Sequence, residues 1–196
     1  MNALLINTHL PYHGWSEGKL NASAQTVARE FFEGRGDSVA ETHVASGYDV
    51  AEEERKFLAA DAIIVHMPAN WFSAPWIWKK YVDEVFNQGL HSGTFLTGDG
   101  RTRSDPTKPY GSGGLMAPRR VMVCSTWNAP REAFDEPSNP VYQGRSLDEA
   151  LAEITAPFRF CGFSTLPGFA FFDIFKNPKI ADDLAAYRAH LAAQFA

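Results

Sequence analysis

The sequence predicts an α/β protein built on a doubly wound, five-stranded parallel sheet, strand order 2-1-3-4-5, with helices on both faces. Three observations lead there. Short apolar runs alternate along the chain with segments of helical periodicity, a pattern that implies right-handed crossovers. Most of those runs are continuously apolar, as strands buried on both faces must be. The second run alone interleaves polar residues, Glu41 and His43, which marks an edge strand.

Residues 3–7 form the first strand. Residues 19–33 follow as a helix with Leu20, Ala24, Val27 and Phe31 at helical spacing, stopped by Gly34 and Gly36. Residues 39–44 are the mixed second strand, 48–59 an acidic helix and 61–67 (DAIIVHM) the third strand. In the helix predicted over 75–87, Ile77, Trp78, Tyr81, Val82, Val85 and Phe86 share one half of the wheel, while Trp76 falls among the charges. A tryptophan there is expected to be covered by a partner subunit or by the long loop rather than by its own sheet. Residues 119–126 (RRVMVCST) form the fourth strand, 147–160 a helix, 168–174 (GFAFFDI) the fifth strand and 178–195 the last helix. The whole of 1–196 reads as one domain carrying a long loop insertion at about 89–118, longer than a compact domain normally spends on a connection.

Composition excludes several classes. Eighteen Lys and Arg against 23 Asp and Glu leave a net charge of −5, so nucleic acid and anionic membrane are poor partners. Two cysteines, Cys124 and Cys161, cannot supply a disulfide framework or a four-thiolate zinc site. No apolar run is long enough to span a bilayer and no basic leader precedes the first strand, so a soluble protein of the reducing cytoplasm is expected. Aromatic side chains make up 13% of the residues, enough to ask whether some rings do more than fill a core. Phe31, Tyr81, Phe86, Phe169 and Phe171 fall on element faces that pack one.

In open parallel sheets ligands bind outside the carboxyl ends of the strands, where the strand order reverses. Here that means the loops after the first, third and fourth strands. The first carries Ser16, Gly18, Lys19, Leu20, Asn21 and Ser23 at the start of a helix, a place that favours phosphate, although Ser16 could equally be a plain N-cap. No GxGxxG or GxxxxGK[ST] motif is present. The other two loops, Pro68-Ala69-Asn70-Trp71-Phe72 and Thr126-Trp127-Asn128-Ala129, each set a tryptophan beside an asparagine. Flat apolar surface with a few amide groups suits a planar heteroaromatic ligand. Tyr110-Gly-Ser-Gly-Gly114 leads into a strand, so its glycines are expected to let the backbone pass close to a ring or turn rather than to cradle phosphate. Asp99, Arg101, Arg103 and Asp105 read as surface charges, His9 and His13 lack a third metal ligand, and no GxSxG elbow supports a hydrolase.

The stretches MPANWFSAPWIWKKYVDEVF (67–86), DGRTRSDPTKPYGSGG (99–114) and STWNAP (125–130) closely resemble the modulator of drug activity B type of NADPH:quinone oxidoreductase, and the likeness runs nearly end to end. The resemblance implies a flavodoxin-like homodimer with FAD, less so FMN, at the subunit interface. Ser16, Gly18, Leu20, Asn21 and Ser23 would hold its pyrophosphate end, with Lys19 a departure from the family pattern. Pro68, Trp71, Phe72, Thr126, Trp127, Asn128 and Ala129 would line the isoalloxazine ring. Ala69 and Asn70 stand where the family more often has Gly and Trp, so their contacts would be made by backbone. Tyr110 would approach from the long loop. Hydride would pass from NADPH to the flavin and then to a quinone by a ping-pong route, with N–H groups of the 127–129 loop stabilising the reduced ring. Relatives show His-Gly where this chain has Gln143-Gly144, which leaves the proton donor open. Two other classes stay open too: a regulatory flavodoxin-like subunit that modulates a membrane transporter, and an FMN electron carrier.

Overall fold

A computed structural model describes residues 1–195. Twelve elements follow in order: β1 (Asn2–Asn7), α1 (Lys19–Glu33), β2 (Ser38–His43), α2 (Val50–Ala59), β3 (Ala62–Pro68), α3 (Trp76–His91), β4 (Arg120–Thr126), α4 (Leu147–Ala150), α5 (Ala152–Phe160), β5 (Ser164–Thr165), β6 (Phe169–Phe171) and α6 (Ile180–Phe195). All strand pairs are parallel and the order is β2-β1-β3-β4-β5, with β6 also on β4. The predicted order and the edge position of the second strand are borne out.

Alternation along the strands builds two cores. Leu4, Ile6, Ile63, Val65, Val121 and Val123 face Phe57 of α2, the buried face of α3 and Phe158 of α5. Leu5, Ile64, Met122 and Cys124 face Ala24, Ala28 and Phe32 of α1 and Tyr187, Leu191 and Phe195 of α6. The six α3 residues grouped on one arc are all buried, and Trp76 is exposed.

Two expected elements differ. The strand expected over 168–174 is shorter, β6 (Phe169–Phe171), and an unexpected piece, β5 (Ser164–Thr165), precedes it, the two pairing with opposite ends of β4. Pro167 has no N–H to give the ladder, and the Gly168 N–H turns instead to Asp148 Oδ1 at 3.0 Å. The strand ends at Phe171 because the chain turns left-handed at Asp173 (φ 50°), whose N–H bonds the Ala129 carbonyl at 3.0 Å. The helix expected over 147–160 breaks at Leu151 into α4, held by a Ser146/Glu149 capping box, and α5. Helix α3 runs on to His91, so the irregular segment begins later than expected.

The register sets Pro68 beside Thr126 and Thr126 beside Phe171, which levels the ends of β3, β4 and β6 along one edge of the sheet, while β1 ends lower, its Asn7 beside His66. Just inside that edge, on the α1/α6 face, the His66 ring meets the Tyr187 hydroxyl at 3.0 Å. Burial, helped by the neighbouring His43 charge, pulls His66 from 6.5 down to about 3. His66 is therefore neutral in the fold and takes a proton only on unfolding. Its contribution is complete above about pH 6.5 and is lost as pH falls toward 3, at about 1.4 kcal/mol per unit. Urea midpoints measured between pH 7 and 4 should fall more steeply for the native chain than for His66→Gln; parallel curves would show that His66 is not the group responsible.

Candidate functional site

The loop after β1 is tied down at both ends. The Thr8 N–H bonds the His66 carbonyl at 2.9 Å, and Tyr12 and Ser16 exchange two backbone bonds of 2.8 and 2.9 Å around Gly14. His9 lies across the loop with Nε2 3.2 Å from the Ser16 carbonyl and 3.3 Å from its hydroxyl. Burial lowers the His9 pKa, and the Ser16 carbonyl partly offsets it. Gly18 caps α1 in a left-handed conformation (φ 77°) with no side-chain cap, and a Cβ there would run into the His9 ring. Ser16 is therefore not the N-cap. The N–H groups of Lys19, Leu20 and Asn21 have no partner in the chain and face a cavity of ≈ 190 Å³ lined by His9, Ser16, Gly18 and Thr126 among others. Asn21 is 3% exposed, lines the same cavity and has an amide Nδ2 without an acceptor. Exposed N–H groups, the positive end of the helix and a buried unpaired donor together fit an anionic phosphate. Lys19, at the rim, is paired with Glu17 at 2.6 Å. Ser23 lies a turn further on, outside the lining, and its hydroxyl donates to the Lys19 carbonyl at 3.0 Å.

The loop after β3 is a tight hairpin. The Ala69 N–H bonds the Thr126 carbonyl at 2.9 Å, and Asn70 and Ser73 pair across Trp71 and Phe72. Both central residues are left-handed, with φ 49° and 72°. That is the geometry of a type I′ turn, which ordinarily takes Asn-Gly, and it costs of order 1 kcal/mol or more per side chain with a Cβ. Trp71 is 92% exposed. Strain and exposed aromatic surface coincide at the tip.

The loop after β4 departs from expectation. Trp127 turns inward and is 2% exposed, its indole donating to Ser125 Oγ at 2.7 Å and its ring edge-on to Phe134 and Tyr142. It closes the floor and offers no open face. The Trp127 N–H is taken by the Phe171 carbonyl at 2.8 Å, which leaves only those of Asn128 and Ala129 free of protein acceptors. A cavity of ≈ 360 Å³ lies above, lined by Ala69, Trp71, Phe72, Trp127, Asn128 and Ala129. Between it and the phosphate chamber is a third, of ≈ 580 Å³, lined by Ser16, Pro68 to Trp71, Thr126 and Asn128. Sharing walls through the central chamber, the three make one continuous crevice.

Fourteen of the sixteen expected residues line this crevice; Ser23 and Tyr110 do not. Tyr110 packs on Phe160 at 5.2 Å, under the guanidinium of Arg101, which is itself paired with Asp99 at 2.6 Å. Phe160 ends α5 just before β5, so Tyr110 is at the opposite edge of its own sheet. The glycines of that loop serve close approach: a Cβ at Gly113 would strike the Gly98 carbonyl, and one at Gly114 the backbone of Cys161 and Gly162.

Sequence reasoning missed His9, Trp15, Ile174 and Phe175 at the phosphate end, and Ala133, Asn139, Val141 and Tyr142 at the other. Their signal was position, since these segments too follow strands at the carboxyl edge. Gln143 is left-handed (φ 52°) and exposed, and does not line the crevice, whereas its neighbour Tyr142 does. Among the described residues no group of three or more His, Cys, Asp or Glu could hold a metal, and no helix is long and apolar enough to cross a membrane.

Residues 1–195 match the family described as flavodoxin-like fold. The chain belongs to that family. It is 38% identical over 195 residues to the NADPH:quinone oxidoreductase MdaB of Haemophilus influenzae, covering 100% of both chains. The fold is similar to that of a candidate quinone reductase from Klebsiella pneumoniae (TM-score 0.77, 22% identity, 98% of this chain and 84% of that one). It is also similar to general stress protein 14 of Treponema denticola in complex with FMN (TM-score 0.65, 18% identity, 98% of each chain). The family resemblance read from the 67–86, 99–114 and 125–130 stretches is thus borne out.

Relief of strain at the hairpin tip gives a test of its geometry. Trp71→Gly should raise the unfolding free energy of the ligand-free chain by a few tenths to about 1 kcal/mol, since an exposed ring is lost and a left-handed Cβ removed. A lower denaturant midpoint for this variant would contradict the left-handed turn.

Proposed function

We propose that this protein is a flavin-dependent NAD(P)H:quinone oxidoreductase with FAD in the crevice, acting as a cytoplasmic homodimer on the single domain formed by residues 1–196. The observation that carries the reading is the pairing, in one crevice, of an unpaired N–H seat at the start of α1 with an apolar chamber between two aromatic loops. Full-length identity to the MdaB reductase supports the activity, and the FMN-bound relative of the same fold supports a flavin.

Bound in this way, FAD would supply a two-electron relay at N5, between NADPH and a quinone that use the same space in turn. The chain's own residues do the rest. Lys19, Leu20 and Asn21 hold phosphate through backbone N–H groups and the Asn21 amide. Trp71 and Phe72 wall the chamber, exclude water and stack on planar groups. The free N–H groups of Asn128 and Ala129 offer hydrogen bonds to a ring that gains negative charge on reduction. Tyr142 is the one ionisable side chain lining the aromatic chamber, fixed by face-to-face packing on Phe134 at 4.2 Å. Burial raises its pKa, so it stays protonated near neutral pH and can hand a proton to a quinone oxygen. Tyr110, turned from its own crevice, and exposed Trp76 would serve the dimer, Tyr110 by reaching the flavin site of the second subunit.

Purified protein should be yellow, release FAD on heating and oxidise NADPH when menadione is added. A colourless protein that neither FAD nor FMN reconstitutes would overturn the proposal. Tyr142→Phe should lower the rate of quinone reduction about tenfold or more while leaving flavin affinity and the rate of flavin reduction by NADPH unchanged; equal losses in both half-reactions would remove Tyr142 from the proton's path.

A further inference from the structure

The outer end of the aromatic chamber contains a fixed donor to which the flavin reading gives no role. Asn139, Val141 and Tyr142 line this chamber and neither the central nor the phosphate chamber, which puts them at the end away from the phosphate seat. The loop that presents them is held by its own hydrogen bonds. Asn139 Oδ1 accepts the N–H groups of Val141 and Tyr142, both at 3.0 Å, in an Asx turn around Pro140. The Asn139 N–H donates to the Glu136 carbonyl and the Gln143 N–H to the Asn139 carbonyl, again at 3.0 Å each. With its oxygen engaged in the turn, the amide presents Nδ2 on the other side, and that nitrogen donates to no acceptor among the described residues. The Tyr142 hydroxyl likewise has no partner there, and no charged side chain lines the chamber.

We propose that Asn139 is the residue that selects a carbonyl acceptor: its Nδ2–H and the Tyr142 O–H bind the same quinone oxygen, and Asn139 holds that oxygen while Tyr142 protonates it. The inference rests on the quinone reductase reading of the crevice. Aromatic walls alone would take any flat molecule, whereas a built donor discriminates against a ligand that has no oxygen to meet it. A carbonyl oxygen has two lone pairs and so accepts from both groups at once. Two neutral donors without a cation suit a neutral acceptor. Hydride derived from NADPH brings two electrons and one proton to the quinone and leaves one ring oxygen as an anion. The Tyr142 O–H bond breaks as the new O–H bond of the hydroquinone forms, and water returns a proton to the Tyr142 phenolate. Asn139 gives up no proton. Its hydrogen bond is stronger to the anionic oxygen than to the neutral one, so it favours the reduced state of the acceptor over the bound quinone.

Binding without turnover tests this. The oxidised, FAD-loaded protein is titrated in the absence of NADPH with menadione and, separately, with 2-methylnaphthalene, which has the same ring outline and no oxygens; quenching of tryptophan fluorescence is the readout. Asn139→Asp keeps the oxygen that accepts from Val141 and Tyr142 and replaces the Nδ2 donor with a second acceptor. Near neutral pH it should weaken menadione about tenfold, the upper end for one neutral hydrogen bond because a carboxylate then faces the carbonyl, and leave 2-methylnaphthalene within about twofold. In turnover with menadione its kcat should fall by a larger factor than its KM rises. An unchanged affinity for menadione would overturn the role of Asn139 and leave the reductase reading standing. Equal weakening of the two ligands would also overturn it, because Asn139 would then only shape the loop. A higher KM with kcat unchanged would overturn the hold on the anionic oxygen. Failure of the native chain to take up a flavin or to bind menadione would overturn the reductase reading and this inference with it.

Discussion

The site depends on the parallel ladder being carried one residue past the ends of its strands. The Thr8 N–H reaches the His66 carbonyl, the Ala69 N–H the Thr126 carbonyl and the Trp127 N–H the Phe171 carbonyl, at 2.8 to 2.9 Å. These three bonds join β1 to β3, β3 to β4 and β4 to β6, the last two at the same level and the first just below it, so the loops leave the same edge of the sheet from a fixed floor. Only the groups beyond that level are released from the sheet. At Asn128 and Ala129, and at Lys19 to Asn21 beyond the first loop, N–H groups have no acceptor in the chain. A parallel sheet buried on both faces is rigid, and a rigid floor makes the direction of those donors a property of the fold.

Above the floor, local stability is given up where ligand contact is gained. Trp71 and Phe72 adopt a backbone conformation that favours glycine, yet both carry large rings, one of them almost fully exposed. Either penalty alone would be tolerable in a surface turn, and their coincidence at the mouth of a crevice is what strain at a functional site looks like. The bulk of the molecule can bear it. Behind β3 and β4 the α2, α3 and α5 face packs Phe57 against Tyr81, Phe86, Phe95, Phe158 and Phe163 with ring centroids 5.4 to 6.4 Å apart. Most of the aromatic content is therefore ordinary core, and a minority stands at the strand ends.

That division explains what the sequence made legible. Continuous apolar runs announce strands buried on both faces, and Glu41 and His43 announce an edge, because both patterns follow from which residues meet water. The loops of the site were legible from topology alone. What escaped depended on partners remote in sequence. Gly168 leaves the ladder for Asp148, 20 residues earlier, and Tyr110 packs under Arg101 onto Phe160, 50 residues further along the chain. The inward turn of Trp127, which still lines the crevice, was hidden for a nearer reason. Its indole bonds the hydroxyl of Ser125, and a Ser-Thr-Trp string reads the same whether the ring points in or out.

The two faces of the sheet differ in a way that bears on the phosphate end. The α1/α6 face contains His66, Asn21 and Gln25, all buried, and in each an atom has no partner in the chain: His66 Nδ1, Asn21 Nδ2 and Gln25 Oε1. An unsatisfied buried polar group costs about 1–3 kcal/mol, so apolar residues at these three places would give a more stable α1 interface. Asn21 and Gln25 are one turn apart on the buried side of α1, and His66 is at the end of β3 that the helix start overlies. Polarity is thus concentrated under the first turns of α1 and absent from its later buried positions, Ala28, Phe31 and Phe32. A helix that needed only to be packed would carry its apolar face to the first turn. Asn21 replaces that apolar contact with an amide at the cavity wall, beside three backbone donors, which is what recognition of an anion requires.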